Sequence, residues 1–141
     1  MSMRDDLVDI REHYRMEQSV KGGGDGASHF WVAETEKEDG SKVIVGCVGI
    51  DSSTQSDNTY TELRRMSIDR SYRRRGIASF LLNALISYAR DHGAKKIVLS
   101  TTSWQASAIR MYERFGWVDV RQECFSWLTR SGKIHFLELD I

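Results

Sequence analysis

Residues 66–78, Met66-Ser67-Ile68-Asp69-Arg70-Ser71-Tyr72-Arg73-Arg74-Arg75-Gly76-Ile77-Ala78, decide how this chain is read. A strand from Thr59 to Asp69 runs into them, a short basic loop follows, and the period of the apolar residues then changes. From Gly76 to His92, Ile77, Phe80, Leu81, Leu85 and Tyr88 recur at helical spacing, and Gly93 closes the run. The first N–H groups of a helix lack partners inside it, and the helix dipole adds positive potential there. Glycine and alanine at the opening keep side chains away, and the arginines offer charge-assisted hydrogen bonds, so the turn suits a pyrophosphate. The same residues also read as a solvated basic loop before an ordinary helix, and six residues alone do not separate the two.

Downstream, Lys96 to Ser100 reads as a buried strand, and Ala106 to Phe115 as a helix with Ala108, Met111, Tyr112 and Phe115 on one stripe and Gly116 as its stop. Trp117 to Trp127 and Lys133 to Ile141 form a closing hairpin around Ser131-Gly132. Upstream, His29 to Thr35 and Lys42 to Ile50 are strands joined through Asp39-Gly40, a strong hairpin signal. Leu7, Ile10 and Tyr14 predict a helix over residues 4 to about 20, with Asp5 and Asp6 at its positive end. Gly22-Gly23-Gly24-Asp25-Gly26 ends it as a flexible connector, because no strand precedes it and no Lys-Ser/Thr pair follows. The order is helix, three strands, helix, strand, helix, two strands. The strand–helix–strand unit requires a parallel pair, so the class is α/β with a mixed, mostly antiparallel sheet and flanking helices.

A chain of 141 residues predicts one domain, residues 1–141, with its own core. Twenty basic and twenty acidic residues give zero formal charge, which speaks against a dedicated nucleic-acid binder; only Tyr72-Arg73-Arg74-Arg75 keeps that option open. Cys47 and Cys124 lie in apolar strand-like stretches without a Cys-x-x-Cys pair, so both are read as buried, reduced thiols. No run reaches the ~18 apolar residues of a membrane helix, and Met1-Ser2-Met3-Arg4-Asp5-Asp6 lacks a signal-peptide profile.

A second constellation follows the next strand: Ala106-Ser107-Ala108-Ile109-Arg110-Met111-Tyr112-Glu113-Arg114-Phe115-Gly116-Trp117. With the basic turn, it resembles the GNAT superfamily of acyl-CoA N-acyltransferases. The superfamily's Gln/Arg-x-x-Gly-x-Gly/Ala pattern is matched by Arg73, Gly76 and Ala78, and its Leu/Met-Tyr-Glu-x-x-Gly-Phe pattern by Met111, Tyr112, Glu113, Gly116 and, with Trp for Phe, Trp117. The likeness is dense from Thr59 to Val120. Within it, Glu62-Leu63-Arg64-Arg65-Met66-Ser67-Ile68-Asp69, Val98-Leu99-Ser100-Thr101-Thr102 and Phe30-Trp31-Val32-Ala33-Glu34 are similar to the camello-type N-acetyltransferases. That resemblance implies a core shortened before Arg4. Camello-type members usually carry an N-terminal apolar membrane segment; here the expectation is a cytoplasmic protein, a membrane anchor belonging to a longer native form.

The resemblance implies acetyl-CoA as cosubstrate without a metal, held between the strands around Thr59–Asp69 and Lys96–Ser100, which splay apart at one end. Main-chain groups of Met66 and Ile68 would bind the pantetheine arm, and amides from Arg73, Arg74, Arg75, Gly76, Ile77 and Ala78 the pyrophosphate. Gln105 stands where many members have asparagine and keeps the same donor and acceptor groups on a longer arm. Tyr112 matches the tyrosine that protonates the leaving thiolate, although a tyrosine on an apolar helical stripe also reads as core. Glu62 resembles the glutamate that serves as general base, or is a solvated strand-end residue; Tyr60, Glu34 and His135 are alternatives. The implied activity is acetyl transfer to a primary amine: an amino-acid-like small molecule, a protein lysine or an N-terminus. The rival is an acyl-CoA-binding sensor or partner module without turnover. The terminal hairpin leaves a strand edge able to pair with a second copy.

Overall fold

Side chains alternate between buried and open along Ser28–Glu36, the period of a strand with one face on a core. In the computed structural model, which describes residues 14–19, 28–53, 59–124 and 132–141, that strand is one of seven in a single sheet. The strands are β1 (Tyr14–Ser19), β2 (Ser28–Glu36), β3 (Lys42–Asp51), β4 (Tyr60–Ile68), β5 (Lys96–Thr102), β6 (Val118–Cys124) and β7 (Lys133–Asp140), in the order β1-β2-β3-β4-β5-β7-β6. Every neighbouring pair is antiparallel except β4 and β5, which run parallel at the centre. Helix α1 (Ile77–Asp91) makes the crossover between them, and α2 (Ala106–Phe115) links β5 to the final hairpin. The mixed α/β class expected from the sequence is the one observed.

The N-terminal helix is a correction. Residues 14–19 form β1, antiparallel to β2 from Tyr14 opposite Thr35 to Ser19 opposite Phe30. The spacing of Leu7, Ile10 and Tyr14 is outweighed by a ladder that pairs the backbone of an otherwise bare β2 edge. Residues 4–13 and the Gly22–Gly26 stretch lie outside the described residues, as does Ser131 of the last turn.

The core lies on one face of the sheet. Ile77, Leu81, Leu82, Leu85 and Ala89 of α1 are buried against Trp31, Ala33, Val45, Val48, Ile50 and Leu63; burying a side chain of that size contributes roughly 1.5–3 kcal/mol. Gly46 is what lets α1 sit so close: a Cβ there would stand 2.8 Å from Ile68 Cδ1 and 3.1 Å from Ile77 Cγ2. Gly116 closes α2 at φ 107, a left-handed conformation that disfavours other residues. Of the two thiols, Cys47 is half-buried but Cys124 is exposed, against the expectation that both are buried, because β6 is an edge strand whose residues 120–124 alternate little in burial. Among the described residues, no helix is long and apolar enough to cross a membrane.

Candidate active site

The sheet opens where the resemblance requires it. β4 and β5 pair only at Tyr60–Lys96, Thr61–Ile97 and Glu62–Val98. Beyond that point β4 follows β3 to Ile68 while β5 follows β7 to Thr102, leaving a fork between two unpaired backbones. A bulge bends the β4 wall: Gly49 faces Arg64 and Cys47 faces Ser67, so Arg65 and Met66 together stand opposite the single residue Val48. Arg65 takes φ 57, a conformation rare outside glycine, and its carbonyl accepts from the Cys47 thiol at 3.4 Å. Burial pushes the Cys47 pKa up, so it serves as a neutral donor. Met66 and Ile68 are half-buried against the core, on the wall of the fork.

Both walls end in helix N-termini. After β4, Asp69 anchors the turn: its N–H donates to Val45 O at 2.8 Å and its carboxylate accepts from Ser71 N at 2.8 Å. A single 3-10 turn (Arg70–Tyr72) leads to Arg73, to Arg74 at φ 64 and to Gly76 at φ 78. The Arg75 guanidinium lies 5.1 Å from the centre of the Tyr72 ring. Arg73, Arg74, Arg75 and Gly76 are exposed, Ala78 is half-buried, and Ile77 is buried and pins the turn to the core. α1 has no side-chain cap and no acidic residue in its first turn. The N-terminus of α2 has neither as well, and its Gln105 accepts from Thr101 through Oε1 at 3.1 Å, a bond that does not use its amide N–H₂ group. Two uncapped helix ends and an arginine triplet therefore border one mouth, an arrangement that fits a multiply charged phosphate ligand. Among the described residues no group of side chains suited to a metal occurs.

Glu62 is the last β4 residue paired with β5, at the base of the fork, and Tyr112 lies on α2. Tyr112 is buried on the helix side against Trp117, ring centres 5.6 Å apart. Trp117 donates from its backbone to Tyr112 O at 3.1 Å and from Nε1 to Ile97 O at 3.2 Å, one residue from the last paired position of β5. Burial pushes the Tyr112 phenol up to about 12. Its burial makes it a core residue.

Glu62 is half-buried, 3.4 Å from Arg64 Nε, and lines an open cavity of about 610 Å³ shared with Val98, Ser100, Val120, Arg121, Phe136 and Glu138. That cavity takes in none of Tyr112, Gln105 or the basic turn. Of the alternatives, Tyr60 alternates onto the Glu62 side, with Lys96 Nζ 5.3 Å from its ring centre. Glu34 belongs to β2, two strands from β4. His135 alternates with Phe136 and Glu138, so it falls on the other side, where its Nδ1 meets Asp119 Oδ2 at 2.6 Å. Arg121, Phe136 and Glu138 escaped the sequence reading. Their alternation within the final hairpin is visible there, but only the pairing of β7 with both β5 and β6 brings them beside Glu62.

The model of the acetyltransferase (GNAT) family matches residues 3–117. The human N-acetyltransferase 8B is 31% identical over 138 residues, covering 96% of this chain and 55% of its own length. The Xenopus tropicalis protein "Probable N-acetyltransferase camello" is 35% identical over 129 residues, covering 92% of this chain and 52% of its own length. The chain thus spans about half the length of these relatives. In fold it is similar to a GNAT family acetyltransferase of Elizabethkingia anophelis solved with acetyl-CoA bound, at TM-score 0.68 and 15% identity, with 92% of this chain and 99% of that one covered. By the match of that family model over residues 3–117, and by relatives 31% and 35% identical over more than nine-tenths of its length, the chain belongs to the acetyltransferase (GNAT) family.

Proposed function

We propose that this chain transfers an acetyl group from acetyl-CoA to a primary amine. The observation that carries the reading is the fork: two backbones that part after Glu62–Val98 and end in uncapped helix N-termini beside Arg73–Arg75. Acetyl-CoA, bound there, supplies the activated acyl group as a thioester. Main-chain groups of Met66 and Ile68 act as a neighbouring strand to the pantetheine arm, and the amides from Arg73 to Ala78 hold the pyrophosphate. The bulge at Arg65 and Met66 interrupts the β3 ladder beside the fork.

Glu62, on the cavity side, takes the proton of the attacking amine, directly or through water. Tyr112, on the helix side, donates a hydrogen bond to the departing sulfur. A phenol held near 12 is protonated at every working pH. It is also a much weaker acid than a thiol of ordinary pKa ~8.5. The charge on sulfur is therefore stabilised by the donated bond first, with the proton following as solvent re-equilibrates the site.

We read residues 1–141 as one domain, acting in a reducing cytoplasm that keeps Cys47 and Cys124 as thiols, with the β6 edge as the place where two copies pair. The test is thiol release from acetyl-CoA across free amino acids, alkylamines, and lysine and N-terminal peptides. Gly76→Glu abolishes acetyl-CoA binding in calorimetry by placing a carboxylate where phosphate docks. Tight acetyl-CoA binding with no thiol release from any amine overturns the transferase reading in favour of a binding module; unchanged binding by the variant removes the turn from the site.

A further inference from the structure

The cavity at the base of the fork is organised in two rows that cross three strands. Glu62, Val98 and Glu138 are in register as the first row. Two residues toward the mouth, Ser100 and Phe136 are in register, and Arg121 follows Phe136 on β6 as the second row. All six line the cavity. The first row is acidic, with Glu138 held 2.8 Å from Lys96 Nζ. The second carries a guanidinium on an aromatic platform: Arg121 Cζ stands 4.1 Å from the centre of the Phe136 ring. Arg121 Nη1 also meets Glu123 Oε1 at 2.8 Å, which leaves the rest of a five-donor planar fork for a second anion.

We propose that this cavity receives the acceptor amine, and that Arg121 anchors a carboxylate at the acceptor's far end. The proposal rests on the transferase reading above. The amine comes to Glu62, beside the fork. Phe136 lies two strand spacings from Glu62 and Arg121 three, one row along, so the guanidinium over Phe136 is roughly 12–14 Å away, and a contact of about 3 Å at each end leaves roughly 6–8 Å for the acceptor to span. An α-amino acid holds its nitrogen and carboxyl carbon only about 2.5 Å apart and does not bridge that span. An ω-amino acid with a chain of four or more methylenes does, and so does a short peptide, at ~3.3–3.6 Å per residue. The acceptor class is a primary amine with a carboxylate five or more bonds away. Arg121 is the residue that selects it.

The experiment compares kcat/KM for ω-amino acids of increasing length, from glycine to 6-aminohexanoate, with alkylamines matched in length, adding diglycine and triglycine. The expected result is a carboxylate advantage of about fivefold that is absent at glycine and emerges in the longer members, the range of a partly exposed ion pair. In Arg121→Gln the ratio of carboxylate to matched alkylamine falls to about one, and Arg121→Lys restores part of it. Turnover of alkylamines with no carboxylate advantage at any length, or an advantage that survives Arg121→Gln, overturns the anchor and leaves the transferase reading standing. An advantage greatest at glycine overturns the spacing. Silence across the panel overturns both the transferase reading and this one.

Discussion

Replacing Tyr112 by phenylalanine removes one hydroxyl and leaves the ring that packs on Trp117 5.6 Å away. At neutral pH the phenol is protonated in folded and unfolded chains alike, so thermal stability should stay within about 0.5 kcal/mol of the parent. The loss falls on the transition state, where a hydrogen bond to a charged partner contributes about 1.5–3 kcal/mol. At about 1.4 kcal/mol per decade, kcat drops roughly tenfold to hundredfold. Acetyl-CoA affinity, set by the fork and the basic turn, is expected to hold within about twofold. Steady-state thiol release gives kcat, and calorimetry gives the cofactor affinity. The raised phenol supplies a separate readout. With a folded pKa of about 12 against an ordinary 10, the unfolded chain loses that proton first, so stability is full below pH 10 and declines as pH rises toward 12. The decline attributable to Tyr112 is about 2–3 kcal/mol and is missing in the phenylalanine variant. A kcat within threefold of the parent in a folded variant would refute the donor assignment; an unchanged alkaline decline would refute the burial argument beneath it.

Glu62→Gln keeps the shape of the cavity wall and removes the base, so kcat/KM falls by about a hundredfold while acetyl-CoA binding persists; near-normal turnover assigns the base elsewhere. Gly46→Ala drives a methyl group to 2.8 Å from Ile68 and 3.2 Å from Leu81, which costs about 1–3 kcal/mol and shifts the first turn of α1. Its signature is a lower melting temperature together with weaker acetyl-CoA binding, and a normal value for either breaks the link between this glycine and the phosphate turn. His29 is held below its ordinary 6.5 by burial, then by repulsion from His92. The unfolded chain therefore binds that proton first, and stability present above pH 6.5 is lost as pH falls toward the lowered value. His29→Phe keeps the ring contacts with Trp31 and Tyr88, at 4.6 and 4.5 Å, and should flatten denaturant midpoints between pH 7 and 5; a slope equal to the parent's would exclude His29 as its source.

Local chemistry carried much of the architecture into the sequence. The helix opening at Gly76 was legible because glycine, a basic loop and a change of apolar period coincide at one junction, and α2 because Gly116 stops an amphipathic stripe. β1 was not legible: Tyr14–Ser19 is a strand because an edge of β2 pairs with it, and no residue within the segment encodes that partner. The site divides in the same way. Gly76 and the arginines lie at a junction their own segment marks, whereas spacing alone reads Tyr112 as core and only the family resemblance singled it out. The fork exists only because β4 leaves β5 after Glu62 to follow β3 through a bulge, a balance between two competing ladders. Arg121, Phe136 and Glu138 reach Glu62 only because β7 inserts between β5 and β6, out of chain order. Sequence determined where α1 and α2 open and stop, since capping and periodicity act over a few residues. Tertiary pairing alone decided where the sheet opens and which side chains meet there, since backbone hydrogen bonds between distant strands set that register.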